Sequence, residues 1–387
     1  MNGEISAEMS FDLHELLTLA HERRASDLHL KVGVPPVLRI DHQLVPVQER
    51  PRLTQADLET TVRLVTTEPQ RQQFAQRREL DLGYGVTGLG RFRANLFQQR
   101  GTLAIAFRVI PVQIPTFDEL YLPPVIATLA MEPRGMVLVT GTAGSGKSTT
   151  LAAMIEHMNN NRAGHILTIE DPIEFLHHDK RCMVNQREVG IDTGSFAEAL
   201  RSALRQDPDV ILVGEMRDFD TVNTAIIAAE TGHLVMSTLH TIDAAETVNR
   251  IIAIFPPYQQ GQIRLQLASL LRGVISMRLI PRADGKGRVP AVEVMVATAT
   301  IRECIANPDK TGKISEVIAA GTSEYGMQTF DQSLMSLYQR GLVSYEEALQ
   351  WSSNPNDFAL KVRGIETVAD QPWTAEQKGG FRERKPH

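Results

Sequence analysis

Cysteine is scarce in this chain of 387 residues. There are two, Cys182 and Cys304, far apart and in no C-x-x-C pair. That excludes a disulfide framework and a four-cysteine zinc site, and it suits a reducing compartment. Aromatic residues make up 5%, and no long run interleaves them with basic residues, as a stacking groove for single strands requires. There is no basic excess either: 40 Lys and Arg stand against 46 Asp and Glu, a net charge of −6. No direct nucleic-acid partner is therefore expected. No apolar run approaches the roughly 18 residues of a membrane-spanning helix. The first ten residues carry acids rather than a basic-then-apolar order, so no secretory leader is expected. These absences point to a cytoplasmic protein that meets membranes only through partners.

What remains is an ordinary globular composition, 42% apolar and 22% charged, long enough for two domains. Phe11 to Arg24 reads as an amphipathic helix with Leu13, Leu16, Leu17 and Ala20 on one face. Leu28, Leu30 and Val32 alternate with polar residues, as in a half-buried strand. Pro36 to Val47 reads as a hairpin turning near Asp41-His42, and Thr54 to Gln76 as mostly helical. Glu79 to Val109 returns to strands, with glycine-rich turns at Gly83–Gly90 and Gln99–Gly101. Residues 1–110 are thus expected to form an α+β domain, followed by a proline-punctuated linker over 111–118.

From Thr116 the pattern becomes α/β. Apolar runs at Met136–Thr140, His165–Ile169, Val210–Gly214 and Leu234–Leu239 read as buried strands. Gln259 to Leu279 reads as helical, Ala291–Val296 as a last strand, and short helices follow at Thr300–Ala306, Ile314–Ala320, Thr329–Arg340 and Ser344–Gln350. The expected second domain spans 119–369, an α/β unit with a helical C-terminal region. The polar stretch 370–387 reads as a disordered tail.

The sharpest signal is Gly141-Thr142-Ala143-Gly144-Ser145-Gly146-Lys147-Ser148, the phosphate-binding pattern G-x-x-x-x-G-K-[ST], with Thr149 next in line. A buried strand precedes it and a helix-compatible run follows. Glycines let backbone N–H groups curl around phosphates, and the helix N-terminus favours negative charge. Lys147 offers a point charge to the β- and γ-phosphates, and the Ser148 hydroxyl suits Mg²⁺.

Hydrolysis also needs a metal-ligand system, a group to orient water and positive charge at the transition state. Glu170, Asp171 and Glu174 cluster at a predicted strand end and could hold water, or could be a solvated acidic loop. Asp207 to Glu215 is a buried strand ending in an acid, and Glu215 could act through Mg²⁺. Ser195-Phe196-Ala197-Glu198 reads as a capping box opening a helix to Gln206. Arg201 and Arg205 lie four apart on that helix, and Arg217 follows Glu215. Each could reach a phosphate in its own subunit or a neighbour's, or be solvated surface charge. His240, at the end of a strand, could sense a γ-phosphate, although a lone histidine is usually structural.

Taken together, GTAGSGKSTT (141–150), TIEDPIEF (168–175), LRQDPDVILVGEMRD (204–218) and AETGHLVMSTLHT (229–241) resemble the four boxes of the secretion-ATPase superfamily in their order. The resemblance implies Glu174 as catalytic base, Glu215 as Walker B acid and His240 as sensor. SDLHLKVGVPP (26–36), GRFRANLFQQRG (90–101) and GMQTFDQSL (326–334) look like the twitching-motility retraction ATPases within it. That family implies a PAS-like first domain, a RecA-like second domain, ATP and Mg²⁺ as ligands, and a homohexameric ring with nucleotide between the domains. Arg91 and Arg93 match positions that approach the nucleotide. The implied partners are other copies of the chain, an inner-membrane pilus platform protein, and an assembly ATPase or second retraction ATPase.

One stretch departs from the family pattern. A motif read as Ala-Ile-Arg-Asn-Leu-Ile-Arg-Glu corresponds here to residues 299–306, where Ile301, Arg302 and Ile305 survive and the rest differs. The departure keeps an accessory retraction ATPase open as an alternative to a principal motor. A RecA-like DNA translocase is a third reading, opposed by the acidic balance.

Overall fold

The computed structural model describes residues 11–40, 43–110 and 113–364. The expected tail at 370–387 and the hairpin turn at Asp41-His42 lie outside the described residues. Among the described residues, thirteen strands form two sheets.

The first sheet comprises β1 (Asp27–Lys31), β2 (Val37–Ile40), β3 (Gln43–Pro46), β4 (Glu79–Val86), β5 (Gly90–Gln99) and β6 (Thr102–Val109), in the order β3-β2-β1-β6-β5-β4, with every neighbour antiparallel. The helix Leu13–Glu22 buries Leu13, Leu16, Leu17 and Ala20, the face its periodicity predicts. They share a core with Leu28 and Leu30 of β1 and Phe107 of β6. The predicted helical stretch divides into Gln55–Val65, opened by a reciprocal capping box between Thr54 and Asp57, and Glu68–Arg77.

The second sheet comprises β7 (Gly135–Thr140), β8 (Gly164–Glu170), β9 (Cys182–Glu188), β10 (Val210–Val213), β11 (Leu234–Leu239), β12 (Leu271–Pro281) and β13 (Arg288–Val296), in the order β13-β12-β7-β11-β10-β8-β9. All neighbours are parallel except β12 and β13. β7, β10 and β11 are buried along their whole length, which is why they read as unbroken apolar runs. Successive side chains serve opposite faces. Met136 and Leu138 pack beneath the helices Phe219–Glu230 and Ala244–Ala253, while Val137 and Val139 pack beneath Lys147–Asn161. The last helices cover the far ends of β12 and β13 through Ile280, Val289, Phe330, Leu334 and Phe358. The fold is therefore a mixed one, an antiparallel sheet with helices followed by a largely parallel sheet covered on both faces.

Several expectations need correction. The helix expected over Gln259–Leu279 ends at Leu270, and Leu271–Pro281 is a strand. It lies between β7 and β13, where Val274 and Ile275 are fully buried, so sheet pairing decides its state. The expected glycine turn at Gly83–Gly90 is shorter, because Gly83 and Gly85 are paired within β4 opposite Arg93 and Arg91. The helix after Ser195 stops at Ala203 rather than Gln206, and it has an N-cap (the Ser195 side chain accepts from Glu198 N) rather than a reciprocal box. The Glu198 carboxylate instead lies against Gly194, where a Cβ would meet its Oε2 at 2.7 Å.

Candidate active site

The glycine-rich loop joins β7 to the helix Lys147–Asn161. Gly141, Gly144 and Gly146 have φ of 140°, 73° and 98°, the region that side chains disfavour. A Cβ on Gly141 would stand 2.5 Å from the Met277 carbonyl oxygen and 2.6 Å from Ser145 Oγ. The loop therefore follows its path only with glycine there. Lys147 is buried, and its Nζ donates to the carbonyls of Gly141 at 2.8 Å and Thr142 at 2.9 Å. Burial lowers its pKa, against the opposing pull of the Glu174 and Glu215 carboxylates.

A cavity of about 290 Å³ opens beside the loop. It is lined by Ala143, Gly144, Lys147 and Ser148 on one side and by Glu174, Glu215, Arg217 and His240 on the other. The four carrying elements are neighbours in the sheet or follow it: the helix after β7, the loop after β8, and the ends of β10 and β11. This is the carboxyl edge of the parallel strands, where ligands bind in open α/β sheets. Gly141, Thr142 and Ser145 line a second cleft of similar size with Met277, Arg278 and Trp351. Gly146 and Thr149 line neither.

Within the cavity, Glu215 pairs with Arg217 (Nε to Oε2, 2.7 Å), and His240 Nε2 lies 3.6 Å from the same oxygen. Buried hydroxyls hold the strand ends that carry them, since Ser237 Oγ donates to the Val213 carbonyl and Thr238 Oγ1 to that of Gly214, each at 2.7 Å. The three carboxylates expected to cluster after β8 do line this one cavity, in different settings. Glu170 accepts from Thr168 Oγ1 at 2.6 Å and Gln186 Nε2 at 3.1 Å, and burial raises its pKa. Asp171 and Glu174 are exposed. His177, on the same loop, is held neutral with a pKa near 4 chiefly by burial.

The remaining arginines stand apart from the cavity. Arg201 and Arg205 are exposed on the helix Phe196–Ala203 and the turn beyond it, with Arg205 Nη1 3.4 Å from the Arg201 carbonyl. Arg91 of β5 pairs with Glu188 at 2.7 Å, and Arg93 with Asp81 at 3.5 Å. Sequence reasoning missed Gln186 and Glu188, because β9 is a polar edge strand with no motif.

The loop's own geometry fits a phosphate group. Ser145 Oγ is buried with no partner, and the first N–H groups of a 15-residue helix point out of its N-terminus. Ser148 and Glu215 bring a hydroxyl and a carboxylate, hard oxygen donors of the kind Mg²⁺ takes, to one cavity. Such an arrangement can bind a nucleoside triphosphate, orient water with a carboxylate, and meet developing charge with Lys147 and Arg217.

Comparison with known proteins agrees with this chemistry. The family model described as "Type II/IV secretion system protein" matches residues 5–350. The chain is 46% identical to the type IV pilus retractation ATPase PilT of Pseudomonas aeruginosa, over 90% of this chain and all of that protein. It is 41% identical to the type IV pilus ATPase PilU of the same organism, over 93% of this chain and 94% of that one. A crystal structure of the pilus retraction motor PilT with bound ADP superposes with a TM-score of 0.82 at 46% identity, covering 90% of this chain and 98% of the other.

Proposed function

The chain belongs to the type II/IV secretion system protein family, and from that premise we propose that it is an ATP-hydrolysing motor that powers retraction of type IV pili in twitching motility. The observation that carries this reading is the convergence of Lys147, Ser148, Glu174, Glu215 and His240 on one cavity. In this reading residues 1–110 form a PAS-like domain, 111–118 a linker and 119–369 a RecA-like ATPase domain. Copies close into a homohexameric ring at the cytoplasmic face of the inner membrane, against a pilus platform protein. No helix among the described residues is long and apolar enough to cross a membrane.

The site residues divide the work. Loop N–H groups from Gly141 to Ser148, with Lys147, hold the β- and γ-phosphates. Ser148 and Glu215 hold Mg²⁺, which supplies positive charge against the triphosphate when bound. Glu174, exposed to the cavity, takes the proton of the attacking water. His240 and Arg217, both on Glu215, respond to the γ-phosphate. Arg201, Arg205, Arg91 and Arg93 are candidates for charge supplied to a neighbour's site.

A second reading, an accessory retraction ATPase beside a principal motor, is favoured by the 41% identity to PilU and the altered stretch 299–306. The experiment that tests the proposal measures steady ATP hydrolysis by the purified chain, with and without single-stranded DNA, and twitching in cells whose sole retraction ATPase is this chain. Hydrolysis indifferent to DNA together with twitching supports a principal motor, and hydrolysis without twitching supports the accessory reading. Turnover that requires DNA would sink both.

A further inference from the structure

The loop after β8 is held from outside itself. Gln186 and Glu188 lie two apart on β9 and so share a face. Gln186 Nε2 donates to Glu170 Oε1 at 3.1 Å and to the Phe175 carbonyl at 2.9 Å, while its Oε1 accepts from His177 N at 2.9 Å. Glu188 Oε2 accepts from Ile173 N at 3.2 Å, one residue before Glu174. Two side chains of an edge strand thus grip the loop at four points on both sides of Glu174.

The grip reaches further. The same Glu188 oxygen accepts from Arg91 Nη2 at 2.7 Å, and Arg91 belongs to β5 of the other sheet. The Glu188 side chain is 5% exposed and that of Arg91 23%, so water screens this pair far less than a surface pair. The guanidinium lies across Gly83 of β4, where a Cβ would come 2.4 Å from Nη2. Gly83 does not have a positive φ, so the absence of a side chain is what leaves Arg91 its place.

We infer that Gln186, Glu188 and Arg91 are positioning residues for the loop that carries Glu174, and that the seating of the first sheet against the second sets turnover through the Arg91–Glu188 pair. The inference rests on Glu174 acting as the base. It gives Arg91 a task within its own chain, distinct from contact with nucleotide. Displacing a catalytic group by about an ångström costs on the order of 10² in rate, without a matching loss of substrate binding.

The test compares kcat, KM for ATP and ADP affinity in Arg91→Ala, Glu188→Ala, Gly83→Ala and Arg91→Lys, with Glu174→Gln as reference. Arg91→Ala and Glu188→Ala should each lower kcat about 10- to 100-fold with ADP affinity within about threefold of wild type. The double variant should lose little more than either single one, because the residues act as one unit. Gly83→Ala, which touches neither nucleotide nor acid loop, should displace the guanidinium and lower kcat in the same direction as Arg91→Ala but by less, and Arg91→Lys should recover most of the loss. Weakened ADP affinity at unchanged kcat in Arg91→Ala would overturn the inference in favour of a nucleotide contact. Wild-type kcat in folded Gly83→Ala overturns it even if Arg91→Ala fails to fold. If Glu174→Gln itself keeps wild-type turnover, it is the reading of the base that fails.

Discussion

Two loops face each other across the cavity, and they are held in different ways. The phosphate loop supports itself: its path comes from glycines at 141, 144 and 146, and Lys147 bonds to carbonyls five and six residues away. The acid loop is supported by others, gripped by Gln186 and Glu188 of β9 and, through Glu188, by Arg91, which lies 97 positions before Glu188. A self-supporting loop carries its whole specification in a short motif and serves any strand–helix junction. A loop held from outside can be moved by whatever moves its supports. In a motor, the first suits a binding site that must persist and the second a hydrolytic step that must be timed.

The largest expected effect breaks the first loop's function while sparing its fold. Lys147→Ala should reduce turnover below detection and weaken nucleotide binding, because the charge facing the β- and γ-phosphates is gone. The glycines still set the loop path, but the Gly141 and Thr142 carbonyls lose the buried Nζ that bridges them, so unfolding free energy should fall by only about 1–3 kcal/mol while the fold is kept. Wild-type hydrolysis in this variant would remove the site assignment.

A charge supplied by a neighbouring subunit would be outside support of a third kind. Arg217 is engaged with Glu215, whereas Arg201 and Arg205 are exposed and away from the cavity. An arginine supplied in trans is worth about 10³–10⁵ in rate. The rate of hydrolysis should therefore rise more steeply than linearly with protein concentration in the dilute range, and removing the charge at the responsible arginine should lower kcat with affinity retained. A monomer, identified by mass, with the full specific activity of the assembled protein would rule the idea out.

Glu174→Gln sharpens the contrast between the loops. Binding of Mg-ATP should survive, because Lys147, Ser148 and Glu215 are untouched, while kcat falls by on the order of 10²–10⁴. Loss of ATP binding with unchanged turnover of bound nucleotide would make Glu174 structural.

The same contrast explains what the sequence disclosed. β7, β10 and β11 were readable because burial on both faces writes a continuous apolar run, and the phosphate loop because its chemistry is contiguous. β12 was not, since Leu270 ends a helix and Leu271 begins a strand with no glycine or proline between them. β9 was not, since an edge strand reading Cys-Met-Val-Asn-Gln-Arg-Glu satisfies no apolar periodicity. Gly83 read as a turn because glycine usually marks one, yet in the fold it makes room for Arg91. What sequence withheld was the long-range contacts that no motif encodes, such as those of Gln186 and Glu188 with the acid loop and of Arg91 with Glu188.

The smallest effect concerns a carboxyl with a partner from neither loop. Glu293 of β13 is buried and accepts from Ala244 N, at the start of the helix Ala244–Ala253, at 2.9 Å. Burial is the main force raising its pKa from the usual 4.5 to about 7; Ala244 N–H and Arg278 oppose the rise, while Asp243 and Asp331 add to it. A folded-state pKa above the unfolded one means that the native protein keeps a proton the unfolded chain has released. Between pH 4.5 and 7 stability should therefore fall as pH rises, by about 3 kcal/mol from this group, and the loss should be complete above pH 7. His177, held near 4, slopes the other way, its contribution being lost as pH falls from 6.5 toward 4, so the two would blur in a single titration. Glu293→Gln separates them, because the amide mimics the protonated acid and can still accept from Ala244 N. The unfolding free energy of the variant minus that of the wild type, from denaturant melts, should climb by about 3 kcal/mol from pH 4 to pH 8. A flat difference would mean that water or a moving side chain already compensates the Glu293 charge, and that this carboxyl, like the acid loop, is supported by something beyond its own hydrogen bond.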